Sequence, residues 1–181
     1  MIMAFTFSAV SYSRIGREAE GFISLQDFMI GAFISMSLFL LLRISDEFKD
    51  KEDDEKYRSY LPVPRGLVSL KELKVIAVLT IALQFGVLLA YQVEMLPLYL
   101  LVLLYLGLMR VEFFVPEWLK QRQLLYVTSH MFIIPLIDIY ASGLDWKLGA
   151  FDAHLGLAWF FALSYSNGLV LELGRKLRSK E

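Results

Sequence analysis

Apolar residues in this chain lie in long blocks rather than in the one-sided stripes of a soluble helix. All but the first of these blocks approach the ~20 residues that a membrane-spanning helix needs. A helix of a soluble protein keeps a polar face, whereas the stretch from Leu98 to Leu108 has none. The pattern predicts an all-α, multi-span transmembrane helical bundle in one domain, with a large buried helical core as the alternative. The predicted spans cover residues 1–13, 22–42, 73–92, 96–115, 124–142 and 149–171.

The first block, Met1 to Ser13, is too short to span a membrane comfortably. A signal peptide would open with basic residues and end at a small-residue cleavage site, and this block has neither feature. We interpret it as a clipped helix that begins before Met1. We therefore expect the bundle to be incomplete in this chain.

The basic residues are distributed unevenly between the two ends of the predicted spans. When successive turns are assigned to alternate sides, fifteen of the eighteen Lys and Arg residues share one side, and Arg14, Arg17 and Lys147 occupy the other. Short cytoplasmic loops carry an excess of Lys and Arg. The asymmetry predicts a multi-pass protein of the cell membrane whose loop 43–72 and C-terminus are cytoplasmic.

Composition excludes several functions. Eighteen basic residues face nineteen acidic ones, for a net charge of −1, so there is no basic excess and we predict no nucleic-acid partner. Cysteine is absent, which excludes disulfides, thiolate metal sites and cysteine nucleophiles. Among the few ionisable residues in the blocks, His130 is a candidate for binding an acceptor, while Arg110 and Glu112 are expected to reach the membrane interface.

The loop 43–72 contains the densest run of charge. Seven of the ten residues from Asp46 to Glu55 are acidic, and Asp46, Asp50 and Asp54 are four apart, a spacing that places them on one face of a helix. Such carboxylates suit Mg²⁺, which commonly keeps waters and bridges to substrate phosphates. A solvated charge run between two spans is the alternative. Basic residues that could hold phosphate oxygens surround the acids: Arg43, Lys49, Lys51, Arg58 and Arg65.

The segments Leu42–Asp54 and Leu61–Leu70 resemble the UbiA superfamily of intramembrane prenyltransferases. That family's first motif reads Asn-Asp-x-x-Asp-x-x-x-Asp and is followed by Arg-Pro-x-Pro-x-Gly. Asp46 stands at the Asn, Glu47 at the first Asp, and Asp50 and Asp54 at the others, while Leu61 replaces the Arg. The second motif of the family, an acidic stretch ending the sixth span, is weaker here. Glu172 matches an acid of that motif, and Lys176 stands where another acid is usual.

The resemblance implies Mg²⁺-dependent transfer of a prenyl group from a prenyl diphosphate to an aromatic, quinone-like or lipid acceptor within the bilayer. Asp46, Glu47, Asp50 and Asp54 would be catalytic, and with Glu172 they would hold the metal. The family has more spans than the six predicted here, so we expect a partner chain to supply the missing helices and the chain alone to be a poor enzyme. The alternative is a catalytically silent, partial UbiA-like module that binds prenyl lipid or a partner subunit. The residues expected to bind the diphosphate are Arg43, Lys49, Arg58, Arg65, Arg175 and Lys176.

Overall fold

Helices form every regular element in residues 2–177, the part of the chain that the computed structural model describes; its side chains are described up to residue 174. Single-residue breaks separate α2 from α3 and α7 from α8. Short 3₁₀ turns, Val93–Met95 and Glu112–Phe114, lie before and after α5. The helices are α1 (Ile2–Gly16), α2 (Leu25–Lys49), α3 (Lys51–Tyr57), α4 (Leu70–Tyr91), α5 (Leu96–Arg110), α6 (Pro116–Lys120), α7 (Gln123–Met131), α8 (Ile133–Trp146) and α9 (Leu157–Leu177).

Four segments of the described chain are long and apolar enough to cross a membrane: Leu25–Lys49, Leu70–Tyr91, Val93–Arg110 and Gln123–Trp146. They match four of the six predicted blocks. The other two blocks correspond to α1, which has 15 residues, and α9, which carries Ser164, Ser166 and Asn167 in its middle. Much of the outward surface of α4 and α5 is apolar, which is the arrangement expected of helices that face lipid.

Several predicted boundaries are wrong, for local reasons. The helix of the second block continues through Asp46 to Lys49, so part of the predicted loop is helical. The fourth block ends as a helix at Arg110 instead of continuing to residue 115. The start of the sixth block, residues 149–156, is not helical. There, Ala150 has a positive φ of 53° and the His154 ring accepts a hydrogen bond from the Gly156 N–H.

Polar side chains fix where two of the spanning helices begin. Ser24 caps α2 by accepting a hydrogen bond from the Asp27 N–H at 3.0 Å. Ser69 and Glu72 form a capping box at the start of α4, in which each side chain accepts from the other residue's backbone N–H. These contacts satisfy N–H groups that the first turn of a helix leaves without partners.

The fifth block is divided into α7 and α8 at Phe132. Pro135 lies three residues later, in the first turn of α8. A proline inside a helix lacks an N–H and clashes with the carbonyl four residues earlier, here that of Met131. The break is compensated by two tyrosines, because Tyr105 donates to the Ser129 carbonyl at 2.6 Å and Tyr165 donates to the Thr128 carbonyl at 3.1 Å. In an apolar environment a backbone carbonyl without a partner is costly, so these hydroxyls stabilise the interrupted span.

The short helix α8 occupies the centre of the bundle and packs against α1, α2, α5 and α9. Its buried side chains include Ile137, Tyr140 and Leu144. A Cβ atom on Gly31 of α2 would lie 2.1 Å from Leu144, so only glycine allows these two helices to approach so closely. Ile137 and Tyr140 belong to the apolar cluster that also takes in buried residues of α1, α2, α4 and α5.

Buried hydrogen bonds link three of the spanning helices. Gln84 of α4 donates to Ser37 of α2 at 2.8 Å and accepts from Tyr99 of α5 at 2.8 Å. At one end of the same helices, the Gln92 side chain donates to Asp27 at 3.2 Å. The last contact joins the end of α4 to the start of α2, so these two helices run antiparallel.

Asp145 joins the end of α8 to the end of α1. Its side chain is 1% exposed and accepts hydrogen bonds from Ser13 at 2.7 Å, Arg14 at 3.0 Å and Arg17 at 2.6 Å. Lys147 follows two residues later. Arg14, Arg17 and Lys147, the three basic residues predicted to lie on the side opposite the other fifteen, therefore share one end of the bundle. Breaking a buried ion pair by removing one partner leaves an uncompensated charge.

We expect Asp145→Asn to lower the free energy of unfolding by about 3 kcal/mol, since two arginines lose the carboxylate that neutralises them. Urea unfolding in detergent micelles measures the change. Asp152→Asn is the matched control, because Asp152 is exposed near the same end of the bundle. Equal stabilities of the two variants would contradict this role for Asp145.

Removing either tyrosine hydroxyl at the helix break has a smaller expected cost. Tyr105→Phe and Tyr165→Phe should each destabilise the protein by about 1 kcal/mol, the usual net contribution of one hydrogen bond. Thermal unfolding in micelles compares them with Tyr91→Phe, whose tyrosine is 63% exposed. Shifts no larger than that of the control would show that the two carbonyls do not need these donors.

Candidate functional site

The predicted acidic stripe lies on two nearly continuous helices. Asp50 is the only residue between α2 and α3, and its backbone bends the chain with φ −89° and ψ 7°. The helical hydrogen-bond ladder nevertheless crosses the bend: the Asp50 N–H donates to the Asp46 carbonyl and the Asp54 N–H to the Asp50 carbonyl, both at 2.8 Å. Because this four-residue ladder is kept, Asp46, Asp50 and Asp54 follow one another along one side of the segment.

The acids of this segment differ in exposure and in partners. Glu47 and Asp54 are buried, at 8% and 5% exposure. Glu47 pairs with Arg43 within α2, and Asp54 pairs with Arg58 at 3.4 Å. The carboxylates of Asp46 and Asp50 are only half-buried, which leaves them as the more accessible members of the predicted set.

A compact turn separates α3 from α4. Its backbone hydrogen bonds include Arg65 N–H to the Leu61 carbonyl at 3.0 Å and Leu67 N–H to the Pro62 carbonyl at 3.0 Å. Gly66 has a positive φ of 74°, a conformation that glycine adopts without steric cost. Arg65 is exposed on this turn, at the same end of the bundle as the acidic segment.

Within the described residues, no three His, Asp or Glu side chains converge closely enough to enclose a metal ion. The donor chemistry of the stripe still fits Mg²⁺, because this ion is commonly bound through one or two carboxylates, with waters and substrate phosphates completing its shell. Asp46 and Asp50 are the pair that such a site would use. Glu47 and Asp54 already neutralise arginines.

Glu172 lies near the end of α9 and is half-buried. The direction of α9 is given by two contacts: Phe160 stacks on Tyr12 at 5.0 Å near the end of α1, and Tyr165 bonds to Thr128 of α7. Glu172 therefore lies at the end of the bundle where α7 begins and α2 ends, without joining the stripe in a three-ligand group. The side chains of Arg175 and Lys176 lie outside the described residues.

A partly buried polar cluster lies beside the acidic segment. It consists of Lys49, Glu112, Tyr126 and His130, which come from α2, from the turn after α5 and from α7. The Lys49 ammonium lies 5.0 Å from the centre of the Tyr126 ring, and the Tyr126 hydroxyl interacts electrostatically with both Lys49 and Glu112. Glu112 Oε2 lies 3.4 Å from His130 Nε2. The expectation that Glu112 reaches the membrane interface is wrong, since it is 7% exposed and turned inward.

Burial raises the pKa of Glu112, and the nearby Lys49 and Lys120 ammonium groups oppose that shift. Desolvation disfavours the charged form of a carboxyl group, whereas neighbouring cations favour it. The Glu112 carboxyl group is therefore more readily protonated than an exposed glutamate. Arg110, by contrast, stays exposed and lies over the ring of Phe48 at 4.8 Å.

An unusual backbone turn holds Glu112 in place. Glu112, Phe113 and Phe114 have positive φ values of 50°, 52° and 62°, so three consecutive residues with side chains adopt the left-handed region. Each such residue costs roughly 1–2 kcal/mol. Strain of this kind persists only where the surrounding structure over-determines it, and it is concentrated at functional sites.

A shallow, aromatic-lined cavity of about 400 Å³ lies next to this cluster and is wide open to the outside, since its lining residues Trp118 and Phe132 are 49% and 47% exposed. Phe113 connects the two, because its ring lies on the cavity wall and also packs edge-on against His130 at 5.9 Å. His130 is itself 4% exposed and lies behind that wall. The aromatic residues that line the cavity are Tyr105, Phe113, Trp118, Phe132 and Tyr165.

The sequence predicted Lys49 as a phosphate-binding residue and His130 as a candidate for binding an acceptor, but it did not predict that the two residues lie in one cluster. Glu112 and His130 lie on different predicted spans, and the pairing depends on a left-handed turn that no spacing rule predicts. The one available signal was the presence of ionisable residues in or beside apolar blocks, which are functional candidates by default. No family model, curated protein or solved structure matches the chain.

Proposed function

We propose that the chain is an integral-membrane prenyltransferase of the UbiA type, which transfers a prenyl group from a prenyl diphosphate to an aromatic, quinone-like or lipid acceptor. The observation that carries this proposal is the row of Asp46, Asp50 and Asp54 at one end of an apolar helical bundle, which is kept in line by backbone hydrogen bonds that continue across the bend. Basic side chains accompany this row on the same helices. Carboxylates that could bind a metal and cations that could bind phosphate would thus lie at one end of an apolar helical bundle.

Different residues would bind different parts of the prenyl diphosphate. Asp46 and Asp50 would hold Mg²⁺, which, when bound, supplies positive charge against the charge that develops on the leaving diphosphate. Lys49 would bind phosphate oxygens directly. The apolar helices accommodate the prenyl tail at little solvation cost.

Transfer breaks the bond between the prenyl carbon and the diphosphate oxygen, whose electron pair leaves with the diphosphate. The acceptor then supplies the electrons of the new bond to the prenyl carbon and releases a proton. Aromatic faces stabilise an allylic cation by about 0.5–2 kcal/mol each. The open cavity lined by Tyr105, Phe113 and Trp118 offers such faces. Water must be kept from the cation, because it would yield prenyl alcohol instead.

Metal-dependent binding tests the proposal directly. The purified chain in detergent should bind geranyl diphosphate in the presence of Mg²⁺, and Asp50→Asn should lose the Mg²⁺-dependent part of that affinity. Isothermal titration with and without a chelator measures it. Glu52→Gln removes an equal charge from an exposed position off the stripe and should bind like the parent.

Identical affinities of the parent and Asp50→Asn for geranyl diphosphate, whether or not Mg²⁺ is present, would show that the acidic stripe does not bind the substrate through a metal. Tight binding of geranyl diphosphate without any transfer to an added aromatic acceptor would instead favour the silent module that binds prenyl lipid.

We further propose that the acidic segment is cytoplasmic, because the bundle end that carries it also carries most of the basic residues. The chain has no cysteine, so single cysteines report cleanly on orientation. Ser59→Cys should react with a membrane-impermeant maleimide only from the cytoplasmic side, and Ala153→Cys only from the opposite side. Both positions are exposed. Labelling of both from the same side would rule out this topology.

A further inference from the structure

Lys49 is held more firmly than the other basic residues of the acidic segment. Its side chain is 17% exposed, whereas those of Arg43 and Arg58 are 59% and 53% exposed. The ammonium nitrogen lies 5.0 Å from the centre of the Tyr126 ring and interacts with the Tyr126 hydroxyl. It also lies 3.9 Å from a carboxylate oxygen of Asp46. The tyrosine therefore determines where this cation lies relative to the stripe.

Tyr126 is in turn fixed by His130 one helical turn later. The two rings stack at 4.1 Å with an angle of 17° between their planes. His130 Nδ1 lies 2.8 Å from the Tyr126 carbonyl, and because a carbonyl only accepts hydrogen bonds, Nδ1 must carry a proton. The other ring nitrogen is left to face Glu112 at 3.4 Å.

Glu112 completes the chain of contacts. Its carboxylate lies 3.4 Å from His130 Nε2 and interacts electrostatically with the Tyr126 hydroxyl, so it is close to both members of the stacked pair. The left-handed turn at residues 112–114 brings it there. Three elements that are distant in sequence thus converge on one tyrosine, and the partly exposed Lys49 ammonium lies next to it.

We propose that Tyr126, locked by the Glu112–His130 pair, is a positioning residue that holds Lys49 against the Asp46–Asp50 carboxylates so that its ammonium binds the diphosphate oxygens of the substrate. This inference rests on the proposed function and deepens it. Arg43 and Arg58 are paired with Glu47 and Asp54, whereas Lys49 reaches its carboxylate only at the long distance of 3.9 Å. A phosphate oxygen can therefore compete for Lys49 more readily than for the two arginines.

A double-mutant cycle separates positioning from general structural support. Tyr126→Phe should weaken Mg²⁺-dependent binding of geranyl diphosphate about tenfold, the usual effect of one hydrogen bond to a charged group. Lys49→Met should weaken it at least as much. If the tyrosine acts through the lysine, Tyr126→Phe has no further effect in the Lys49→Met background. Tyr91→Phe, at an exposed tyrosine near the opposite end of the bundle, is the control.

Chemical modification gives a second readout that needs no substrate. Lys49 should be acetylated more slowly than Lys51, whose side chain is 50% exposed, and Tyr126→Phe or Glu112→Gln should raise the Lys49 rate severalfold while leaving the Lys51 rate unchanged. Mass spectrometry follows both sites in one sample. Unchanged Lys49 rates in these variants would overturn the positioning role.

The outcomes distinguish the two proposals. Parent-like binding by Tyr126→Phe, or a full additional loss in the Lys49→Met background, overturns the inference while the proposed function stands. Absence of any Mg²⁺-dependent binding by the parent chain overturns the proposed function itself, and with it the substrate role of Lys49.

Discussion

Polar groups in an apolar bundle must find partners within the protein, and most of the helix contacts described above follow from that requirement. In a medium without water, a backbone carbonyl or a charged side chain left alone costs several kcal/mol. The bundle contains a broken span, a buried carboxylate at the end of α8 and a buried glutamine in α4. Each of them is matched by donors or acceptors from a neighbouring helix. These matches set the order and direction in which the helices pack.

The two ends of the bundle use charge differently. At the end where α1 meets α8, Asp145 is surrounded by two guanidinium groups and a hydroxyl, a closed arrangement suited to holding helices together. At the other end the charges are more open: Asp46 and Asp50 are half-buried, and Lys49 reaches its acid only at 3.9 Å. The first arrangement leaves little for a ligand to bind. The second leaves two carboxylates and a cation partly accessible.

The polar cluster of Lys49, Glu112, Tyr126 and His130 lies beside the open end. The left-handed turn that places Glu112 costs backbone free energy. This cost indicates that contacts stronger than the local backbone preference fix Glu112. Glu112, Tyr126 and His130 lie in contact next to Lys49, and the four residues come from three separate elements. A flexible lysine loses affinity through the entropy of ordering its side chain, and a lysine that is already ordered avoids much of this loss.

The sequence alone determined the features that depend on local pattern. Apolar blocks of membrane length predicted the helices, and the four-residue spacing of Asp46, Asp50 and Asp54 predicted a ladder that the structure retains across its bend. The ion pairs of Arg43 with Glu47 and of Arg58 with Asp54 are also local, because each joins residues one helical turn apart. Pro135 marked the break in the fifth block, although its effect on the span was not predicted.

Only the tertiary structure decided which distant residues meet. The pairing of Glu112 with His130, the bridge from Tyr126 to Lys49 and the clamp on Asp145 each join separate helices. Their partners depend on the direction and rotation of whole elements rather than on neighbouring side chains. The left-handed turn shows the same limit in the backbone, since residues 112–114 adopt a conformation that their own preferences oppose. Local pattern identifies the groups that must find a partner in an apolar bundle, and packing determines which partner each one finds.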